Sequence, residues 1–270
     1  MTKGRGHNEL LAFEDPAFLM RDEMRASRLA LEFAKAELGL RDRGINSTVV
    51  VFGSARAVSA DAAKQRLSAA RDDEAVASAR RLETLAVWYE QARAFGRIVS
   101  ERGGSLSSDG GLRDNVIATG GGPGLMEAAN RGAAEAGAPS IGFNINLPAE
   151  QAPNPFVTPE LSFRFHYFAV RKMHLSMRAN VLAVFPGGFG TLDELFEILT
   201  LKQTHKTTAI PVILFGRDYW RRIVDFEALS EFGTIDAPDL DLFEIVDDAE
   251  EGWDAMRRHG LASRTPLREV

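Results

Sequence analysis

Arg171, Lys172 and Glu194 are the residues whose types and neighbours could act on a substrate. Glu194 closes the stretch "VFPGGFGTLDE" (184–194), where an apolar run stops on three glycines and a helical pattern begins. A carboxylate beside such a loop can serve as a base or stabilise developing positive charge. It also fits a purely local role. "TLDE" (191–194) is a T-x-x-E capping box, with Thr191 as N-cap and Glu194 folding back on the helix start. Local pattern favours the cap, but the two roles are compatible, because a helix N-terminus also keeps a carboxylate ionised beside a ligand. Arg171 and Lys172 lie in "FAVRKMH", on a predicted helix. A solvated basic pair is the ordinary reading of "RK". Against it, the preceding "FRFHYFAV" is apolar, and a buried arginine needs a carboxylate or phosphate partner. His166 and His174 are eight residues apart and make no H-E-x-x-H, so no metal site is expected.

Two glycine loops, "TGGGPG" (119–124) and "PGGFGT" (186–191), each follow a predicted strand and open a predicted helix. Ligands bind at that edge of an open parallel sheet. Glycines let the backbone approach closely, and the unpaired N–H groups of a helix start attract an anion such as phosphate. Either run could also be no more than a tight turn. Neither is a dinucleotide fingerprint or a P-loop, since "GGGPGL" does not satisfy G-x-G-x-x-G and "GGFGTLDE" has no P-loop lysine. A nucleoside monophosphate stays compatible with both.

The elements that must hold these residues alternate. Helical spacing over 17–38 precedes the first strand, with Gly39 as a stop signal. A strand is expected in "STVVVFGSAR" (47–56). Residues 60–102 predict one long helix or two, with a solvated first half that reads as an insertion and an apolar stripe in the second. Strands follow after Asn115, ahead of the first glycine loop, and at 139–148 and 180–185, with a brief extended piece opening 162–179, then "PVILFG" (211–216) and a last one in the first part of 241–259. Helices are expected after each glycine loop, over 191–205, 217–229 and the end of 241–259. Short apolar strands alternating with helices imply a Rossmann-like, doubly wound parallel α/β sheet with helices on both faces, plus an N-terminal helical extension. The expected division is 1–46 for the extension and 47–270 for one nucleotide-binding domain, with the helical insertion at about 58–86.

Composition narrows the function. The 270 residues are 45% hydrophobic and 26% charged, with net charge −6, so no overall basic field invites nucleic acid or an anionic membrane. Zero cysteines exclude disulfides and thiolate chemistry. The N-terminus lacks the apolar core of a signal peptide and no stretch has the length of a membrane span, which predicts a cytoplasmic protein.

The combination "GSAR…TGGGPGLMEAANRG…LPAEQ…FAVRK…PGGFGTLDELFEILT" resembles the LOG ("lonely guy") family of cytokinin riboside 5′-monophosphate phosphoribohydrolases, whose members are often labelled "possible lysine decarboxylase". The resemblance runs from about Val49 to Trp220 and is closest to the longer bacterial branch carrying "VFGSAR". It implies hydrolysis of the N-glycosidic bond of an adenine or cytokinin-type nucleoside 5′-monophosphate to free base and ribose 5-phosphate. It implies a homodimer with sites near the subunit interface, and no metal or organic cofactor. By position, the catalytic pair falls on Arg171 and Glu194. Substrate contacts fall on Ser54, Gly120, Gly121, Gly122, Met126, Glu150, Lys172, Gly187, Gly188, Phe189, Gly190, Thr191, Leu192, Asp193 and Thr200. Asp193 stands where plant members commonly carry Glu.

The chemistry agrees with that assignment. Cleavage builds positive charge on the ribose, which a carboxylate can stabilise while orienting or deprotonating water. Arginine is a poor proton donor, so Arg171 suits orientation and charge stabilisation. A decarboxylase would need pyridoxal phosphate on a lysine, and neither glycine loop holds one. The rival from another class is a non-catalytic nucleotide or molybdenum-cofactor carrier on the same scaffold. Arg171 together with Glu194 favours the enzyme.

Overall fold

The computed structural model describes residues 9–106, 111–146, 152–207 and 210–260. A short helix α1 (Pro16–Leu19), with Asp15 capping the amide of Phe18, leads into α2 (Arg25–Asp42). The expected helix over 17–38 is therefore shifted and split. Gly39 does not stop α2. It lies inside the helix, where a Cβ would come 2.8 Å from the Phe163 ring, so its small size serves packing rather than termination.

Strand β1 (Thr48–Phe52) follows, then α3 (Ala60–Ala69) and α4 (Asp73–Arg102). The stretch 60–102 is thus two helices, the second started by the Asp72 carboxylate on the amide of Ala75. Next come β2 (Val116–Thr119), α5 (Leu125–Glu135), β3 (Ser140–Ile145), β4 (Ser162–Phe165) and α6 (Phe168–Met177). The chain continues through β5 (Ala179–Val184), α7 (Phe189–Gln203) and β6 (Val212–Phe215). Where one helix over 217–229 is expected there are two, α8 (Arg217–Ile223) and α9 (Phe226–Glu231). The Asp225 carboxylate accepts from the amide of Ala228 and begins the second. β7 (Phe243–Val246) and α10 (Ala249–Arg258) complete the described chain.

The seven strands of the described residues pair in parallel in the order β4-β3-β2-β1-β5-β6-β7. Successive residues of β1 feed opposite cores, as a sheet covered on both faces requires. Val50 and Phe52 pack with α2, α6, α7, Trp220 and Phe226 on one side. Val49 and Val51 pack with Tyr89 and Phe95 of α4, Leu125 of α5 and Met256 of α10 on the other. The chain builds outward from β1 to β4, returns to the middle, and builds outward again from β5. The switch point lies between β1 and β5, where the loops at their carboxyl ends diverge and open a crevice.

The N-terminal helix is bonded firmly to the sheet. Glu37 of α2 takes both terminal nitrogens of Arg178 at 2.6 Å, and Arg178 also donates to the Ile45 carbonyl. Glu32 accepts the amides of His166 and Tyr167, the first free N–H groups before α6. The extension thereby helps fix the helix that carries Arg171.

Candidate active site

The crevice at the switch point is a cleft of about 760 Å³. Its walls come from the end of β1 (Phe52–Arg56), the loop after β5 with the first turn of α7 (Pro186–Leu192), Met126, Arg171, and Leu85, Tyr219 and Ile223. Of the sequence-predicted site residues, Ser54, Met126, Arg171 and the run Gly187–Leu192 meet here.

Helix α7 begins at Phe189, with Gly188 at the N-cap and no side-chain cap. This overturns the capping-box expectation. Thr191 lies two residues inside the helix, and Glu194 cannot reach back to a cap that lies six residues away. Gly187 is small for a physical reason, because a Cβ there would collide with the Thr191 side chain packed against it. The Tyr219 hydroxyl donates to the Gly187 carbonyl at 2.5 Å and holds the loop from the α8 side. The start of α7 therefore offers unpaired N–H groups to the cleft, an arrangement that suits an anion.

Arg171 is buried, and its Nε donates to the Phe143 carbonyl at 2.8 Å. Gly120 lies against it so closely that a Cβ would be 2.6 Å from Nη2, which explains a glycine at that position. Glu194 lies behind Arg171, with Nη1 to Oε1 at 3.8 Å and the carboxylate side chain 7% exposed. It does not line the cleft directly. It lines a small void with Val50, Phe52 and Lys172. Burial pushes the Glu194 carboxyl up to about 7, and the charges of Arg171 and Lys172 offset only part of that. Burial likewise lowers the Arg171 pKa, with Glu194 and Asp193 partly offsetting it.

Lys172 turns to the other side of α6. Its Nζ lies 2.7 Å from Asp193 and 2.5 Å from Glu197. Burial works against that charge, but the carboxylates outweigh it and raise the pKa. Lys172, Asp193 and Thr200 line a separate outer groove beside Phe189 and Phe196. The Thr200 hydroxyl donates to the Phe196 carbonyl within its own helix. These three predicted contacts are therefore apart from the main cleft. Gly121 and Gly122 are held by Asn154, whose Nδ2 donates to both carbonyls at 3.3 and 3.0 Å. Asn154 was missed by sequence reading, because nothing in "QAPNPF" marks an asparagine that reaches back across 32 residues. Glu150 lies outside the described residues.

His174 is buried among Phe33, Phe143 and Phe165, with Nε2 facing the Phe33 carbonyl. Burial lowers its pKa, so it stays neutral as a core residue. Among the described residues no three His, Cys, Asp or Glu side chains converge on a metal position. Nor is any helix there long and apolar enough to cross a membrane.

Fold and cleft together define a doubly wound α/β protein with a switch-point crevice lined by Arg56, Arg171 and the start of α7. Residues 126–256 match the family model described as "Possible lysine decarboxylase", in keeping with the LOG-family resemblance. It is similar to the pyrimidine/purine nucleotide 5′-monophosphate nucleosidase of Escherichia coli strain K12, 35% identical over 135 residues. That match covers 43% of this chain and 28% of the relative, so the chain spans under a third of the curated proteins it matches. Among solved structures, it is similar to a molybdenum cofactor binding protein from Rippkaea orientalis, at 19% identity and TM-score 0.49. That likeness covers 80% of this chain and 97% of the other. The Moco carrier protein of Chlamydomonas reinhardtii is similar at 21% identity and TM-score 0.46, over 79% of this chain and 96% of its own.

Proposed function

We propose that the protein hydrolyses the N-glycosidic bond of a purine nucleoside 5′-monophosphate, adenine or cytokinin-type, releasing the base and ribose 5-phosphate. The observation that carries this reading is buried Arg171 in the wall of a cleft opened by the uncapped start of α7, with the buried Glu194 carboxylate 3.8 Å behind its guanidinium. The 5′-phosphate sits against the amides of that helix start, which gives the monophosphate requirement a physical cause. As the C1′–N bond breaks, its electron pair leaves with the base and positive charge grows on the ribose. Ionised Glu194 stabilises that charge and takes a proton from the attacking water, whose oxygen forms the new bond to C1′. The proton surrendered by water balances the one gained by the base. Arg171 orients the substrate and stabilises the leaving base's negative charge. The E. coli nucleosidase relative supports this class of reaction.

A decarboxylase reading does not fit. Pyridoxal phosphate is held as a Schiff base on lysine, yet no lysine lines the cleft among the described residues. Lys172 is bound by two carboxylates instead. The outer groove supports a homodimer: it presents Phe189, 92% exposed, together with exposed Phe196, and a second copy would cover them. Sedimentation at increasing concentration tests that association.

The deciding experiment is release of adenine from AMP by the purified chain, with adenosine and a cytokinin riboside monophosphate in parallel. Turnover of monophosphates but not of adenosine is expected. Tight binding of AMP without turnover would instead make the protein a carrier.

A further inference from the structure

Resting on the nucleotide reading above, we infer that Arg56 is the cation that holds the ligand's phosphate together with the α7 start, and that it sets the preference for phosphorylated over unphosphorylated ligands. The cleft is lined by two arginines, Arg56 and Arg171, and by no carboxylate among the described residues, in a chain whose net charge is −6. Arg171 is already engaged, by the Phe143 carbonyl and by Glu194. Arg56 has no hydrogen bond or ion pair from its side chain among the described residues. Its whole guanidinium fork is therefore available for a planar or tetrahedral anion.

The backbone beneath Arg56 is fixed, so the charge has a defined origin. Ser54 donates its amide to the Pro186 carbonyl at 3.0 Å, and its own carbonyl accepts the amide of Leu125 at 3.0 Å. The Arg56 amide donates to Ser54 Oγ at 3.2 Å. Ala57 is buried, and two residues later Ser59 caps α3 through the amide of Ala62. Arg56 thus rises from a loop held at both ends and lines the same cleft as the uncapped amides after Gly188. An anion seated there meets partial positive charge from the helix and full charge from Arg56. A neutral nucleoside gains from neither.

The test compares wild type, Arg56→Ala and Arg56→Lys as full chains. Calorimetric binding of ribose 5-phosphate and of inorganic phosphate is read beside KM and kcat for AMP. The expected result for Arg56→Ala is a roughly ten- to hundredfold weaker ribose 5-phosphate affinity, the loss of a charge-assisted contact. KM for AMP rises in step, kcat changes much less, and Arg56→Lys recovers part of the loss. Added salt weakens wild-type binding more steeply than binding to Arg56→Ala. Unchanged ribose 5-phosphate affinity in a folded Arg56→Ala protein overturns the assignment, whether or not AMP is hydrolysed. Absence of AMP turnover in wild type, with the Arg56 effect on ribose 5-phosphate intact, sinks the hydrolase reading and leaves the phosphate seat standing.

Discussion

Replacing Glu194 by Gln separates what burial of this carboxyl costs the fold from what its charge gives the reaction. The folded-state pKa is raised from an ordinary 4.5 to about 7 by burial. Between those values the native state holds its proton more tightly than the unfolded chain, so stability falls as pH rises through the window and levels off above it. Each pH unit is worth about 1.4 kcal/mol, which makes the ionised carboxylate about 3 kcal/mol less favourable than its protonated form. Gln mimics the protonated form and does not titrate. Glu194→Gln should therefore match wild type near pH 4 and exceed it by up to about 3 kcal/mol near pH 8. In a domain of this size that corresponds to about 6–12 °C in Tm. Urea unfolding followed by circular dichroism across that range measures the gap, and adenine release from AMP measures turnover, which should fall at least a hundredfold or so. A stability gap that does not change with pH refutes the burial argument. Near-native turnover in the variant refutes the mechanism.

The same displacement predicts that kcat/KM for AMP rises with pH through about 7, because the ionised form of Glu194 is the active one; a profile flat from pH 5 to 9 would contradict it. Gly120→Ala forces a Cβ against the Arg171 guanidinium, and should lower turnover by about tenfold or more while the protein stays folded, as parallel activity and thermal melts will show. Glu37→Ala leaves Arg178, whose side chain is 1% exposed, without its counterion, and should cost about 3 kcal/mol in urea titrations at neutral pH. The Arg178 hydrogen bonds hold the Glu37 pKa below its ordinary value, so the pair's contribution is present above that value and is lost as pH falls through the lowered one; the destabilisation by Glu37→Ala should shrink in acid.

Alternation of short apolar runs with helical stretches was enough to read the parallel sheet, because both faces of β1 are covered and its residues run unbroken as "TVVVF". The two glycine loops were legible for the same reason, as each ends a buried strand. Boundaries set by distant packing were not. Gly39 carries a stop signal that the Phe163 ring turns into a packing contact. Thr191 and Glu194 have capping-box spacing, yet α7 starts at Phe189 with Gly188 as N-cap, and Thr191 packs against Gly187 inside the first turn. The breaks before α4 and α9 had a readable cue in Asp72 and Asp225, each of which caps the helix that follows. In the site, residue types announced Arg171 and Glu194, but spacing could not show that Lys172, Asp193 and Thr200 face a different groove. Arg56 and Asn154 matter through what lies near them in space, which a linear pattern does not encode.

Ser54 bonds through its backbone to both glycine-loop regions, to Pro186 on one side and Leu125 on the other. The width of the cleft mouth is thereby referenced to the rigid end of the central strand rather than to two independent loops. A ligand entering such a frame freezes little chain motion, so most of its contact energy is available for affinity and for straining the bond to be broken. The same coupling makes the loops inseparable in practice: a change that shifts one of them will be felt at the other, even where the two share no side-chain contact.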